Sequence, residues 1–477
     1  MYYGLRNKNY GLSLQPEIII DIVMRTFYDI HVHALNLSHP NLTAYLFRED
    51  LISSLIEENI NWKTRFVIAA ASMIPKSVLK KQVNKMLNSG GEHSPKSIVG
   101  NCLSFFEIPL EYQFLVLEYF LRLGEPKIIN NKNKIMVGDT CYDKVLLCPL
   151  VIDFGYKNIE NSIFYNLSPK RPITNQVGDL LYAIRTYYRF NLEIENKKMR
   201  LSKEIPDSQE RKHEKLFEIY PFMGLDTRNY YKEEIIALLN KFFCNFSKTE
   251  SGAERRARLF EKMGKLDSNM YRDAGEYADI FAGIKVYPQL GFDPYPKDAE
   301  ELDKVKMVYD FCVNHRIPIT THCSDAGFKV GEFDPITSPE GKWKKVLADY
   351  PELTLNFAHF GAESKSEKRE WRNAVIALTQ QYPNVYTDIS CNDANTGYYD
   401  EIENLFHHDP KKVQKYSPPI PNPELYKKML FGSDFSINLL ASKVDSYNEY
   451  LKAFSDAEVS HKEDLCEKNP ERFLFGE

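Results

Sequence analysis

The amino-acid sequence predicts an α/β chain folded as a single (β/α)8 barrel, with large, mainly helical insertions after strands one and two. Three observations lead there. Short apolar, β-branched runs alternate with amphipathic stretches through the second half of the chain, which is the pattern of parallel βαβ units. Eight such runs can be traced over the whole sequence. Each ends in or near a polar, chemistry-bearing residue: His31 with His33, Asp153, Asp226, Lys285, His322, His359, Asp388 and Asp434. A barrel gathers its functional groups at the C-terminal ends of several strands, so a row of polar strand ends fits that architecture.

The first strand is TFYDIHVH, from Thr26. Its two histidines lie two residues apart, and alternate residues of a strand share a face. KVLLCPLVIDFGY (Lys144 to Tyr156) and LFEIYPFMGLD (Leu216 to Asp226) hold strands two and three. GIKVYP is the fourth, and the helix after it places Leu302, Val305, Tyr309 and Cys312 on one face. IPITTHC, LTLNFAHFG, NVYTDISC and KMLFGSDF supply strands five to eight. Pro318 lies at the start of its run, where a strand tolerates proline. KWKKVLADYP, EWRNAVIALTQQYP and the stretch from Tyr447 to Phe454 read as the intervening and trailing helices.

Two connections exceed a simple barrel crossover, over residues 42–140 and 157–214. Loops that long usually carry function. Within them KSVLKKQVNKML, PLEYQFLVLEYFLRL and VGDLLYAIRTYYRF read as helices, which predicts ordered caps over the C-terminal mouth of the barrel. The chain, residues 1–477, then forms one domain.

A net charge of -5 over 477 residues leaves no basic footprint for nucleic acid. No apolar run reaches the roughly 18 residues that a membrane helix needs. The eight cysteines form no CxxC pair, which suits a reducing compartment, and the N-terminal stretch lacks a signal-peptide pattern. The expectation is a cytoplasmic protein whose partner is a small-molecule substrate, with neither nucleic acid nor membrane involved.

Several of these words carry a family resemblance. DIHVH, GIKVYPQLGFDP, PITTHC, SPEGKWKKVLADYPELTLNFAHFG, NVYTDIS, LFGSDF and NPERFLFG resemble the amidohydrolase superfamily, in its amidohydrolase-2 branch. That branch holds metal-dependent hydrolases and the aminocarboxymuconate-semialdehyde decarboxylase type of lyase. The resemblance covers most of the region after Phe281 and one short piece near the N-terminus.

It implies that His31, His33, His322 and Asp434 hold a divalent metal, most often zinc; manganese or iron would suit the same imidazole and carboxylate donors. It also implies catalytic roles for Asp434, as acceptor of a proton from water, and for His359, which would orient substrate or stabilise developing charge. Lys285 has two readings under the resemblance. Carboxylated, it would bridge two metals; unmodified, it would pair with a charge or contact substrate beside a single metal, and this is the reading we take. Arg228, next to Asp226, and Tyr287 are candidate substrate contacts. Asp153 and Asp388 are candidates to accept N–H bonds from ligand imidazoles. Cys323, directly after His322, should face away. His39 reads as a surface-loop residue, and His407 and His408 receive no role.

The function expected is a metal-dependent hydrolase directing water at a carbonyl or related carbon of a small polar or carboxylated substrate. Non-oxidative decarboxylation uses the same ligand set and is the alternative. A non-catalytic barrel that binds a partner through its insertions is the third reading, against which every expected ligand position is filled. A homodimer would be in keeping with the superfamily.

Overall fold

Eight parallel strands make the inner layer: β1 Thr26–Val32, β2 Lys144–Pro149, β3 in two pieces (Phe217–Ile219 and Phe222–Gly224), β4 Gly283–Val286, β5 Ile319–Thr321, β6 Leu355–Phe357, β7 Val385–Asp388 and β8 Met429–Leu430. The computed structural model describes residues 24–35, 108–154, 172–195, 198–205, 214–243, 246–264, 266, 280–328, 338–363, 369–407, 422–441, 444 and 446–476. β1 pairs with β2 (Phe27 opposite Val145) and β2 with the first piece of β3 (Val145 opposite Phe217). The second piece of β3 pairs with β4 (Met223 opposite Ile284), and pairing continues in sequence order to β8. Pro221 separates the two pieces, because a proline has no N–H to give the ladder.

The ring closes between β8 and β1. Ile30 N donates to Phe431 O (3.2 Å), Asp434 N to His31 O (2.7 Å) and His33 N to Phe435 O (2.5 Å). Asp29 fastens this seam as well: its carboxylate accepts Ser433 N at 3.0 Å and Tyr447 OH at 2.8 Å. The result is a (β/α)8, or TIM, barrel.

The outer layer is α1 Leu110–Leu123, α2 Pro172–Arg189, α3 Lys232–Phe243, α4 Gly252–Gly264, α5 Ala299–His315, α6 Lys344–Asp349, α7 Glu370–Gln381, α8 Thr396–His407, α9 Asn438–Ala441, α10 Tyr447–Asp456 and α11 Asn469–Phe475. α5 shows why these helices form where they do. Asp298 caps its N-terminus by accepting from Glu301 N (2.9 Å), and its buried stripe is Val305, Val308, Tyr309 and Cys312. α11 closes the floor of the barrel. Phe473 packs on Phe222 and Tyr386, and Phe475 on Tyr220; burying each such ring contributes about 1.5–3 kcal/mol.

α1 and α2 differ from the expectation of caps over the mouth. They pack on the flank of the barrel, as the helices of the first two crossovers. Gln113 of α1 bonds Leu35 O, just after β1, while Phe120 O, near the helix's other end, accepts from Asn448. The hydroxyl of Tyr187 in α2 accepts from Phe217 N at the start of β3 (2.9 Å). Their apolar stripes are what a barrel wall requires, and periodicity alone does not distinguish a wall from a lid. Residues 36–107 and 155–171, with His39 among them, lie outside the described residues, as does His408. Among the described residues no helix is long and apolar enough to cross a membrane.

Candidate metal centre

Three electron-pair donors converge where β1 meets the turn after β8. His31 Nε2 lies 3.3 Å from His33 Nε2, and Asp434 Oδ1 lies 3.1 Å from the first and 3.0 Å from the second. All three residues are buried. Each imidazole is held by its other nitrogen. His33 Nδ1 faces Leu150 O at 2.8 Å, and a carbonyl only accepts, so Nδ1 carries the proton and Nε2 the lone pair. His31 Nδ1 donates to Asp388 Oδ2 at 3.0 Å. Burial keeps His33 neutral by lowering its pKa, so its lone pair confronts a carboxylate oxygen at 3.0 Å.

That arrangement tests the fit of a metal. Two lone-pair atoms in such contact repel unless a cation lies against both. Donors about 2.0–2.1 Å from a tetrahedral zinc stand roughly 3.3 Å apart, close to the spacings found here. Nitrogen and carboxylate oxygen are also the donor types of a catalytic site with an open position. The residues fit the group.

Asp388 and Ser390 organise the ring of imidazoles. Asp388 accepts from His31 Nδ1, Asn356 Nδ2 (2.7 Å), His359 N (3.0 Å), Ser390 N (3.1 Å) and the Ser390 hydroxyl. Burial works against that charge, but His31 above all outweighs it and holds the carboxyl far below its usual range. With its proton given to Asp388, Ser390 Oγ can only accept from His359 Nδ1, 2.9 Å away. His359 therefore turns a lone pair on Nε2 toward His322 Nδ1, at 3.1 Å. It does so from a left-handed backbone, φ 62°, held by the Asp388 bond to its own N–H; Asp434 is left-handed too, φ 60°. Such non-glycine strain costs about 1–3 kcal/mol per residue and gathers at functional sites.

His322 faces His359 and belongs to neither group of converging donors among the described residues. Its Nε2 donates to Ala326 O (2.9 Å) and Tyr287 stacks on its ring at 4.1 Å. The Tyr287 hydroxyl accepts from Phe328 N (3.0 Å), so it braces the 322–328 loop. Burial lowers both imidazoles, His359 to about 4 and His322 well below its ordinary value. Lys285 is buried, and burial brings its ammonium down to about 8.

Residues 273–476 match the family model Amidohydro_2, described as amidohydrolase. By that match residues 273–476 resemble the amidohydrolase family. Among solved structures it is similar to an uncharacterised TIM-barrel protein of Bordetella bronchiseptica, at 14% identity over 94% of this chain and 98% of that one, with a TM-score of 0.38. It is similar as well to a uronate isomerase of Bacillus halodurans (12% identity, 94% and 91% coverage, TM-score 0.34) and a dihydroorotase of Campylobacter jejuni (15%, 70% and 73%, TM-score 0.30). Scores this low carry nothing about the reaction. No curated protein matches the chain.

His31, His33 and Asp434 form one buried group able to hold an ion, and His31, His359 and Asp388 form another. Arg228 lies apart from both. Its guanidinium forks onto Asp226 (3.0 and 2.6 Å) and donates to Leu290 O (2.6 Å). Gly291, at φ +104°, makes room for it, since a Cβ there would come within 2.3 Å of the guanidinium. Asp153 accepts from Asp226 N and Tyr230 OH. Sequence reasoning missed Ser390 and Asn356. Ser390 had a signal: it stands two residues after Asp388, the same spacing that singles out His31 and His33.

Proposed function

We propose that this protein is a hydrolase of small polar or carboxylated molecules that works with one divalent metal, zinc first and manganese or iron with the same donors. His31, His33 and Asp434 hold the metal. His322, implied as a fourth ligand by the family resemblance, and His359 line the open side with lone pairs of their own. The observation that supports this most is the trio of donor atoms 3.0–3.3 Å apart, with both outer nitrogens already fixed by Leu150 O and Asp388.

Such an ion supplies Lewis-acid polarisation and makes a water molecule more acidic. The chain's own groups supply the rest. Asp434 lies within reach of a proton released at the centre; burial works against its charge, but the neighbouring His31 and His33 hold its carboxyl well below the usual range. His359, with Nδ1–H spent on Ser390, offers Nε2 as a proton acceptor. The buried walls exclude bulk water and strengthen each of these interactions.

Metal content by elemental mass spectrometry tests the reading. Wild-type protein should hold about one equivalent after dialysis, and His31→Ala and Asp434→Asn should hold almost none. Metal-free wild type under replete conditions would overturn it, and so would full retention in both variants.

A further inference from the structure

Lys285 is a charged group in the barrel that the metal reading leaves without work. It stands in β4, opposite Thr320 of β5, which in turn faces Asn356 of β6. Its side chain is 1% exposed, and among the described residues Nζ has no hydrogen-bond partner. An ammonium has three N–H donors and no acceptor, and the face of the Tyr287 ring, 5.7 Å from Nζ, offers it a weak electrostatic contact but no hydrogen bond, so its buried donors remain costly. Lys285 lies beside the centre, since that same ring stacks on His322 at 4.1 Å.

Neither carboxylate close by is placed to receive it. Asp388 already accepts from His31, Asn356, Ser390 and the His359 N–H. Asp434 turns Oδ1 to the two β1 histidines. A divalent ion at the trio would balance these two carboxylates and leave Lys285 as the excess positive charge of the site. A water molecule could meet the hydrogen bonds but not the charge.

We propose that Lys285 is the receptor for a carboxylate on the substrate, which makes the protein an enzyme of small carboxylated molecules. This rests on the metal reading above and narrows it. The orientation follows from the same geometry: the carboxylate lies against β4, and the bond to be attacked lies between it and the β1–β8 seam. Lys285 stays unmodified in this arrangement, since a carboxylated amine would repel the group it receives.

The experiment is calorimetric titration of acetate into metal-loaded protein near neutral pH, for wild type, Lys285→Gln, Lys285→Met and Lys285→Arg, with metal content measured on each sample. Removing a charge-assisted hydrogen bond in a buried site should weaken acetate by about tenfold or more in the Gln and Met variants. Lys285→Arg should keep most of the affinity, and all three variants should keep the wild-type metal. If the Met variant does not fold, the comparison of Gln with Arg decides, because both are polar and only one is charged. Unchanged acetate affinity in Lys285→Gln overturns the proposal. Loss of metal from the Gln and Met variants also overturns it, by placing Lys285 in the metal site. Absence of metal from the wild type is a separate result and overturns the metal reading itself.

Discussion

Two sets of imidazoles share one barrel mouth and differ in what faces them. His31 and His33 bring lone pairs onto a carboxylate, Asp434. His322 and His359 bring theirs onto each other, 3.1 Å apart, with no carboxylate between them. A divalent ion is held best where a negative donor joins the neutral ones, since the anion offsets both the charge and the cost of taking the ion out of water. The difference assigns the sets. The β1–β8 trio is built to keep a cation, and the β5–β6 pair to exchange a proton or touch substrate.

The comparison breaks most easily at its strongest end. Asp434→Asn removes the only anion of the trio and should weaken metal binding by more than about 100-fold, the upper range for loss of a mere supporting residue. His322→Ala, measured by the same metal titration, should leave the stoichiometry unchanged. Equal losses in both variants would show one continuous site across the four histidines and dissolve the distinction.

Asp388 and Ser390 hold the two sets together, so their variants sharpen the comparison. Asp388→Asn takes away the acceptor that orients His31 and should lower metal affinity about 10–100-fold. Ser390→Ala has a smaller and differently placed effect. It leaves His359 Nδ1–H without its acceptor, at about 1–3 kcal/mol of folding stability, while metal affinity changes less than about tenfold. Denaturant unfolding and metal titration on the same preparations separate the two. A Ser390→Ala protein that loses metal as fully as Asp388→Asn would place the hydroxyl in service of the trio instead of His359.

How much of this could be read from the chain depends on the distance over which each residue acts. His31 and His33 are legible because the strand period puts both on one face, and His359, Lys285 and Asp434 because each ends an apolar run. The second half is legible for a related reason: from β4 onward the crossovers are short, so strand and helix alternate visibly. β3 hides its break, since only pairing shows that the ladder stops at Pro221. The roles of Asn356 and Leu150 are invisible in the sequence. They depend on which strands become neighbours, and the partners of Asn356 and His33 are 32 and 117 residues away. The separation of His322 from the trio is hidden for the same reason, because the order of strand ends gives their place around the ring but not their depth in it.

Asp153 offers the mildest test, since it is a buried acid that belongs to neither set. Burial first, and then the neighbouring Asp226 charge, lift its pKa to about 7, against about 3.9 in an unfolded chain. Between those values the folded protein keeps a proton that the unfolded chain has released. Its contribution to stability therefore falls as pH rises through that window, stays low above it, and vanishes below about pH 4. Asp153→Asn carries no proton to lose and keeps one oxygen for Asp226 N and Tyr230 OH. Denaturant unfolding at a series of pH values should show a flatter profile for the variant and a gain of about 1–4 kcal/mol above pH 7. Metal content should not change at all. An unchanged profile would mean that Asp153 is ionised in the folded protein, and lost metal would mean that the centre extends along the end of β2 as far as Asp153.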